Sequence, residues 1–174
     1  MSQNMNRHLT ALEFDKILER LAQFTACPDA RELALSLRPE SDIDLAQAQM
    51  NQTHDAHMLL ARFGGPSFGG LRNVNNAAAR AGAGSTLSMR ELLDVAEVLR
   101  TVRALAQWRS TNAGVETVLD PLFSALQPNK YLETKITSAI ISEEEIADSA
   151  SPELFEIRRK IRVQESKVRD QLDK

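Results

Sequence analysis

The stretch Asp148-Ser-Ala-Ser-Pro-Glu-Leu154 opens a polar helical pattern that continues to Lys174. Ser151 is a favourable N-cap because its hydroxyl can accept a hydrogen bond from a first-turn N–H. Pro152 suits the first helical position, where its missing N–H costs nothing. Apolar residues then recur along one narrow stripe, at Leu154, Ile157, Ile161, Val168 and Leu172. Such a stripe is typical of a helix that meets one partner along a seam, so we predict a long protruding helix, cut short at its end.

Composition favours a soluble helical protein and excludes several classes of site. Of the 174 residues, 43% are hydrophobic and only 5% aromatic, and the net charge of −3 gives no global attraction to nucleic acid. Cys27 is the only cysteine, so no disulfide can form within the chain and a reducing compartment is expected. No apolar run approaches the ~20 residues of a membrane span, and residues 1–9 lack a signal-peptide core. We therefore expect a cytoplasmic protein without membrane contact.

Helical spacing recurs upstream, and no alternating stretch is long enough to require a β-sheet. The strongest patterns cover residues 14–24 and about 86–109, with weaker helices predicted near 28–37, 41–62, 71–81, 116–126 and 131–141. Residues 1–8 are expected to fray. Within the first helix, Phe14, Ile17 and Leu21 are predicted core positions. The pattern predicts an all-α multi-helix domain over residues 1–147, followed at 148–174 by the base of the long helix.

The glycine-rich stretch 63–70 is the strongest loop signal, and it resembles a phosphate-binding loop only in part. Gly64 and Gly69 have the required spacing, but Gly70 and Leu71 stand where such a loop needs Lys and Ser or Thr. We interpret the stretch as a connector, with Arg72 beside it as weak evidence for a phosphate contact.

Three further groups were weighed as catalytic or metal sites. His54 and His57 lie one helical turn apart but without a general base or nearby cysteine, and Cys27 has no histidine beside it in sequence. The run Glu143–Glu145 lacks the alternating spacing of a calcium loop. We therefore assign no catalytic, cofactor-binding or metal-binding residue to this chain.

One element is locally basic, and two interpretations of it remain open. Its cationic residues are Arg158, Arg159, Arg162, Lys167 and Arg169. Acidic residues such as Glu156 and Glu165 stand at helical neighbour spacing, which favours a helix stabilised by ion pairs. The alternative is contact with a nucleic-acid backbone through those five side chains.

Four motifs, taken in order, resemble the amino-terminal region of bacterial endonuclease MutS, type two, the MutS paralogue without the mismatch-reading domain. They are Leu12-Glu-Phe-Asp-Lys-Ile-Leu-Glu-Arg-Leu21, Leu37-Arg-Pro39, Gly70-Leu-Arg72 and Asp148-Ser-Ala-Ser-Pro-Glu-Leu154. The resemblance implies a helical core or lever domain, with the last helix running toward a coiled-coil clamp. It also implies, outside this chain, an ATPase domain that binds ATP and Mg²⁺ and forms a homodimer, and a small nuclease domain.

The resemblance further implies partners for the whole protein: branched or duplex DNA in suppressing homologous recombination, and the ribosome in rescuing collisions. No ATPase or nuclease motif occurs in these residues, so we interpret the chain as a non-catalytic lever piece of a longer protein. The alternatives are a stand-alone helical module that binds nucleic acid or one that binds another protein. One local departure, Ser142-Glu-Glu-Glu-Ile146, replaces a glycine turn found in relatives and argues against a tidy β-hairpin there.

Overall fold

The computed structural model describes the backbone of residues 3–172, and the side chains of these residues except at 3–6 and 170. Nine α-helices lie within that range: α1 Gln3–Ala11, α2 Phe14–Ala22, α3 Pro28–Ser36, α4 Ile43–Phe63, α5 Asn75–Gly82, α6 Met89–Thr111, α7 Asp120–Ser124, α8 Lys130–Ala139 and α9 Pro152–Leu172. A 3₁₀ turn, Asp148–Ala150, precedes α9. Between residues 3 and 172 there is no β-strand, only one antiparallel bridge. The all-α fold with a long C-terminal helix is confirmed, and the predicted helix end at residues 173–174 lies outside the described range.

The helices fall into two compact units. The first comprises Met1–Asn73 and Arg100–Pro128, and the second comprises Val74–Leu99 and Asn129–Lys174. The predicted domain boundary between residues 147 and 148 stays a prediction.

In the first unit, α2 and α3 pack as a helical pair. Leu18 and Ala22 of α2 and Ala34 of α3 are buried. The prediction that Ile17 and Leu21 are core residues was wrong, since they are 59% and 42% exposed. The apolar stripe of α2 is wider than the surface that its neighbours cover, so only one side of it is buried.

The start of the chain is helical where fraying was expected, since α1 covers Gln3–Ala11. Thr10-Ala-Leu-Glu13 has the sequence of a capping box and so predicts a helix start at Thr10, but Thr10 belongs to α1. Glu13 instead adopts a left-handed conformation at φ 52° and separates α1 from α2. Its carboxylate meets the Lys16 ammonium at 2.6 Å, and this exposed ion pair stands at the turn between the two helices.

Helix α4 begins at its predicted cap. The Asp42 carboxylate accepts hydrogen bonds from the backbone N–H groups of Asp44 (2.9 Å) and Leu45 (3.2 Å). The sequence predicts inward positions at Ile43, at Met50 and at either Leu59 or Leu60. Leu59 is buried, whereas the other three are exposed. A helix rich in Gln and Asn gives little periodic signal, so its buried side could not be read from the sequence.

The second unit contains a small hydrophobic core formed by α6 and α8. A buried cluster is formed by Ala96 of α6, Ile136 of α8 and Ile140, which directly follows α8. Partly buried side chains pack around it: Met89, Leu92, Leu93, Val95 and Ala139. Helix α6 begins with a capping box, because the Glu91 backbone N–H donates to the Ser88 hydroxyl while the Ser88 N–H donates to the Glu91 carboxylate.

The acidic turn after α8 connects this core to α9. Ile140 and Ile146 pair in the single antiparallel bridge, and the Ala147 N–H donates to the Ala139 carbonyl at 2.9 Å. Residues 145–147, for which the sequence predicts a short extended piece, thus contribute one bridge. In the first unit, the helix predicted over 116–126 is shorter, because α7 covers only Asp120–Ser124.

Candidate nucleic-acid interface and helix root

The first turn of α9 is capped by the side chain of Ser151, as its sequence predicts. The Ser151 hydroxyl accepts a hydrogen bond from the Leu154 N–H at 3.1 Å, and Pro152 occupies the first helical position. The preceding 3₁₀ turn, Asp148–Ala150, contacts both α8 and α9. The start of α9 therefore lies close to the end of α8, with this turn between them.

Asp148 adds a side-chain connection to that backbone one. Its Oδ1 accepts a hydrogen bond from Arg158 Nη1 at 2.6 Å, and its Oδ2 accepts one from Arg162 Nη1 at 2.8 Å. Arg158 Nη1 also donates to the Ile146 carbonyl at 2.7 Å. The two ion pairs from Asp148 to Arg158 and Arg162 are referred to below as the Asp148 contact.

The electrostatics of Asp148 follow from this geometry. Hydrogen bonds from Arg158 and then Arg162 lower the pKa of the Asp148 carboxyl, because both stabilise its charged form. All three side chains remain partly open to water, so their attraction is screened. The Asp148 contact therefore gives α9 a direction more than it gives the fold stability.

Residues 148–158, from the 3₁₀ turn to Arg158, are called the root of α9 below. Beyond this root, the side chains of α9 are open to solvent. Every side chain that the structure describes from Arg159 to Leu172 is exposed. Ile161 and Val168 lie exposed along this part of the helix. They belong to the narrow apolar stripe that predicts a seam.

The structure separates the five predicted nucleic-acid residues into groups. Arg158 and Arg162 are brought together by Asp148. Helical geometry, at roughly 100° per residue, puts Arg169 on the same face as those two. Arg159 is turned about 100° away and pairs with Glu156 at 3.2 Å, and Lys167 faces nearly the opposite side. Their contact with nucleic acid stays a prediction.

Sequence reasoning missed the role of Asp148. In the sequence, Asp148 was noted only as the first residue of a motif, although two arginines four residues apart on α9 share a helical face. An acidic residue just before a helix, followed by such a pair within the first turns, is a signal that could have identified the contact.

The glycine-rich connector is hydrogen-bonded to Arg72, the residue that follows it closely in the sequence. Gly64 ends α4 at φ 75°, in the left-handed region that favours glycine. Arg72 Nη1 donates to the carbonyls of Gly69 (2.9 Å) and Leu71 (3.0 Å). The Arg72 guanidinium, a candidate phosphate contact in the sequence, thus hydrogen-bonds to the backbone of the connector.

Asp55 and Glu143, which belong to two of the other candidate groups, contact residues that are distant in the sequence. Asp55, between His54 and His57, accepts a hydrogen bond from the Val118 N–H at 2.8 Å. Glu143 pairs with Arg90. Within residues 3–172, no group of three His, Cys, Asp or Glu side chains has the arrangement of a metal site. No helix in the same range is both long and apolar enough to cross a membrane.

Comparison with known proteins gives one consistent match. The chain is 38% identical over 164 residues to Endonuclease MutS2 of Ruminiclostridium cellulolyticum, covering 93% of this chain and 21% of that protein. It is 36% identical over 168 residues to Endonuclease MutS2 of Acetivibrio thermocellus, covering 95% of this chain and 21% of the relative. The Clostridium perfringens Endonuclease MutS2 is 34% identical over 170 residues, with 97% and 22% covered.

No family model matches the chain. The chain spans about a fifth of the length of the curated relatives that it matches, the shares being 21% and 22%. The similarity extends over nearly all of the 174 residues, in agreement with the motifs that first suggested it. The chain therefore belongs to the endonuclease MutS2 family and corresponds to an amino-terminal segment of its members.

Proposed function

We propose that this chain is a non-catalytic lever of a MutS2-type protein, whose helical core holds the root of an arm. The observation that carries the proposal is the Asp148 contact, because it links the turn after α8 to two points one helical turn apart on α9. A helix held at two such points follows a rotation of its base as a rigid body. The exposed apolar stripe on α9 supports a coiled-coil partner farther along the arm.

The relatives carry the name endonuclease, and we extend that activity to the whole protein only. In this proposal ATP and Mg²⁺ bind to regions outside this chain, where an ATPase domain also forms the homodimer. DNA and the ribosome are the proposed targets of the whole cytoplasmic protein. The chain itself is expected to hydrolyse no ATP and to cut no DNA, and turnover above that of a mock purification would contradict this.

The lever proposal is tested by measuring how firmly α9 is held. In a Cys27→Ser background, spin labels at Thr134→Cys on α8 and Val163→Cys on α9 report one distance distribution within the second unit. We expect a narrow distribution that widens when Asp148→Asn removes the side-chain connection. Glu153→Gln, which neutralises an exposed acid on the same helix, is the matched control. A broad distribution in the unaltered protein, or equal widening in the control, would refute a rigid root.

A second candidate function is contact with a nucleic-acid backbone, which the shared face of Arg158, Arg162 and Arg169 favours. Such contact releases counterions, so affinity must fall steeply with salt. A labelled DNA duplex titrated at low and high salt tests it. Binding that fails at low salt would remove this function from the chain.

A further inference from the structure

Asp148 occupies a position that has the geometry of an anion site. Two guanidinium groups from neighbouring turns of α9 converge on it, each donating to a different carboxylate oxygen at 2.6 and 2.8 Å. Arg158 is half-buried and Arg162 is exposed, so the pair is accessible from solvent. Two oxygens of one anion thus bridge two cations on the outer surface of a helix.

We propose that Asp148 fills a phosphate-binding site formed by Arg158 and Arg162, and that the phosphodiester of a nucleic acid competes with it for both arginines. This inference rests on the second candidate function. A phosphodiester presents two charged oxygens, as a carboxylate does, and guanidinium groups bind both kinds of anion with paired hydrogen bonds. Asp148 is therefore a built-in competitor that masks two of the five predicted cations.

Competition by a residue of the same chain is strong against a single phosphate. Asp148 is tethered ten residues from Arg158, so its effective concentration is on the order of millimolar or more. A polyanion has an advantage that a single ion lacks, because Arg169 on the same face can bind a further phosphate. Nucleic acid is thus favoured over free phosphate as the ligand that displaces Asp148.

Displacement has a consequence for the lever. A phosphate bound to Arg158 and Arg162 removes the side-chain connection between the turn after α8 and α9, leaving the Ser151 cap and the backbone. Coupling between binding sites is reciprocal, so nucleic acid that loosens the root is itself bound more tightly when the root is already loose. Binding along the arm and the direction of the arm are therefore linked through Asp148.

The experiment measures binding of a short fluorescent DNA duplex to the 174-residue chain, by anisotropy, at several salt concentrations. The test variant is Asp148→Asn, and Asp148→Glu retains the carboxylate. The matched control is Glu165→Gln, which removes the same charge from the same face of α9. Among the described contacts, Glu165 forms no ion pair with Arg158 or Arg162.

The expected result is roughly tenfold tighter binding for D148N at low salt, with a salt dependence steeper by nearly one released counterion, because Arg158 and Arg162 neutralise a single phosphate. D148E should bind as the unaltered chain does, and the control should gain far less than D148N. The gain of D148N should vanish when Arg158→Gln and Arg162→Gln are added. Equal gains in D148N and E165Q would overturn the proposal.

A comparison that retains Asp148 provides a second decision, should D148N perturb folding. With Asp148 in place, Arg162→Gln should weaken binding less than Arg169→Gln, because Arg162 already has an anionic partner. The reverse order would contradict masking. Circular dichroism of each variant verifies that helix content is retained.

A third measurement separates failure of this inference from failure of nucleic-acid binding. Tripolyphosphate is titrated while the Nε–H signals of Arg158 and Arg162 are followed by NMR. The signals should shift at several-fold lower concentration in D148N than in the unaltered chain, even if no variant binds DNA. In that case nucleic-acid binding fails and the masked anion site stands, whereas equal titration midpoints refute the site itself.

Discussion

Arg109 and Asp120 form a partly buried ion pair in the first unit, with guanidinium and carboxylate 2.5 Å apart and the Arg109 side chain only 12% exposed. The remaining donors of Arg109 reach the carbonyls of Asn112 and Val115, both at 2.6 Å. One side chain thus ties the end of α6, the following loop and the start of α7 together. The loop has little other regular structure, so we attribute its order to Arg109.

Arg109→Gln should therefore destabilise the protein measurably. A glutamine cannot reach both carbonyls and the carboxylate, so polar groups in the half-buried loop lose charged donors. We expect the melting temperature to fall by several degrees, at roughly 2–4 °C per kcal/mol for a chain of this length. Arg62→Gln, which removes a cation from the exposed end of α4, is the control. Equal melting temperatures for both variants would show that the loop is ordered by other contacts.

The same region predicts a pH dependence. Hydrogen bonding from the Thr117 N–H, and then the Arg109 guanidinium, lower the pKa of Asp120. A carboxyl with a depressed folded-state pKa stabilises the protein above its unfolded pKa, near 3.9, and this contribution is lost as pH falls through the folded pKa. Asp120→Asn should thus lower stability at pH 7 and flatten the loss below about pH 4.

Urea unfolding at pH 7 and near pH 3 measures this effect. Asp15→Asn, on the exposed side of α2, removes the same charge and is the control. Asp148 also has a lowered pKa and contributes an acid-dependent loss of the same sign, so the comparison is between variants and not between pH values alone. An Asp120→Asn curve that parallels the unaltered one at both pH values would contradict the assignment.

Two adjacent residues of α2 should respond very differently to truncation. Leu18 is 7% exposed and Ile17 is 59% exposed. Leu18→Ala leaves a cavity and should cost about 2–4 kcal/mol of unfolding free energy. Ile17→Ala removes contacts mostly with water and should cost less than about 1 kcal/mol. Denaturant titration of both variants decides this, and equal losses would mean that Ile17 is covered.

Helix α2 also shows which parts of the fold could be predicted from the sequence. Periodicity located the helices, because the apolar spacing and the caps at Asp42 and Ser151 act locally. It did not tell Leu18 from Ile17, since both belong to one broad stripe and only the neighbouring chain determines which side is covered. Exposure of the remaining side is a tertiary property that a helical pattern does not contain.

The candidate interface was predictable to a similar extent. The cations of α9 and their helical spacing can be read from the sequence, and so can a possible pairing of Glu156 with a nearby cation. The Asp148 contact depends on a turn that brings residue 148 back along the first turns of α9. The turn includes the bridge between Ile140 and Ile146. The acidic residues between them do not predict this pairing from the sequence.

The cap of α9 provides the last prediction. The Ser151 hydroxyl accepts a hydrogen bond from the Leu154 N–H at 3.1 Å and satisfies one of the unpaired donors of the first turn. Ser151→Ala should lower the unfolding free energy by about 1 kcal/mol, whereas Ser151→Gly should lower it by only a few tenths. Hydrogen exchange of the α9 amides gives a second reading, because protection should fall first at the N-terminal turn. Ser149→Ala, in the preceding 3₁₀ turn, is the control, and a loss for Ser149→Ala as large as for Ser151→Ala would assign the effect to the turn and not to the cap.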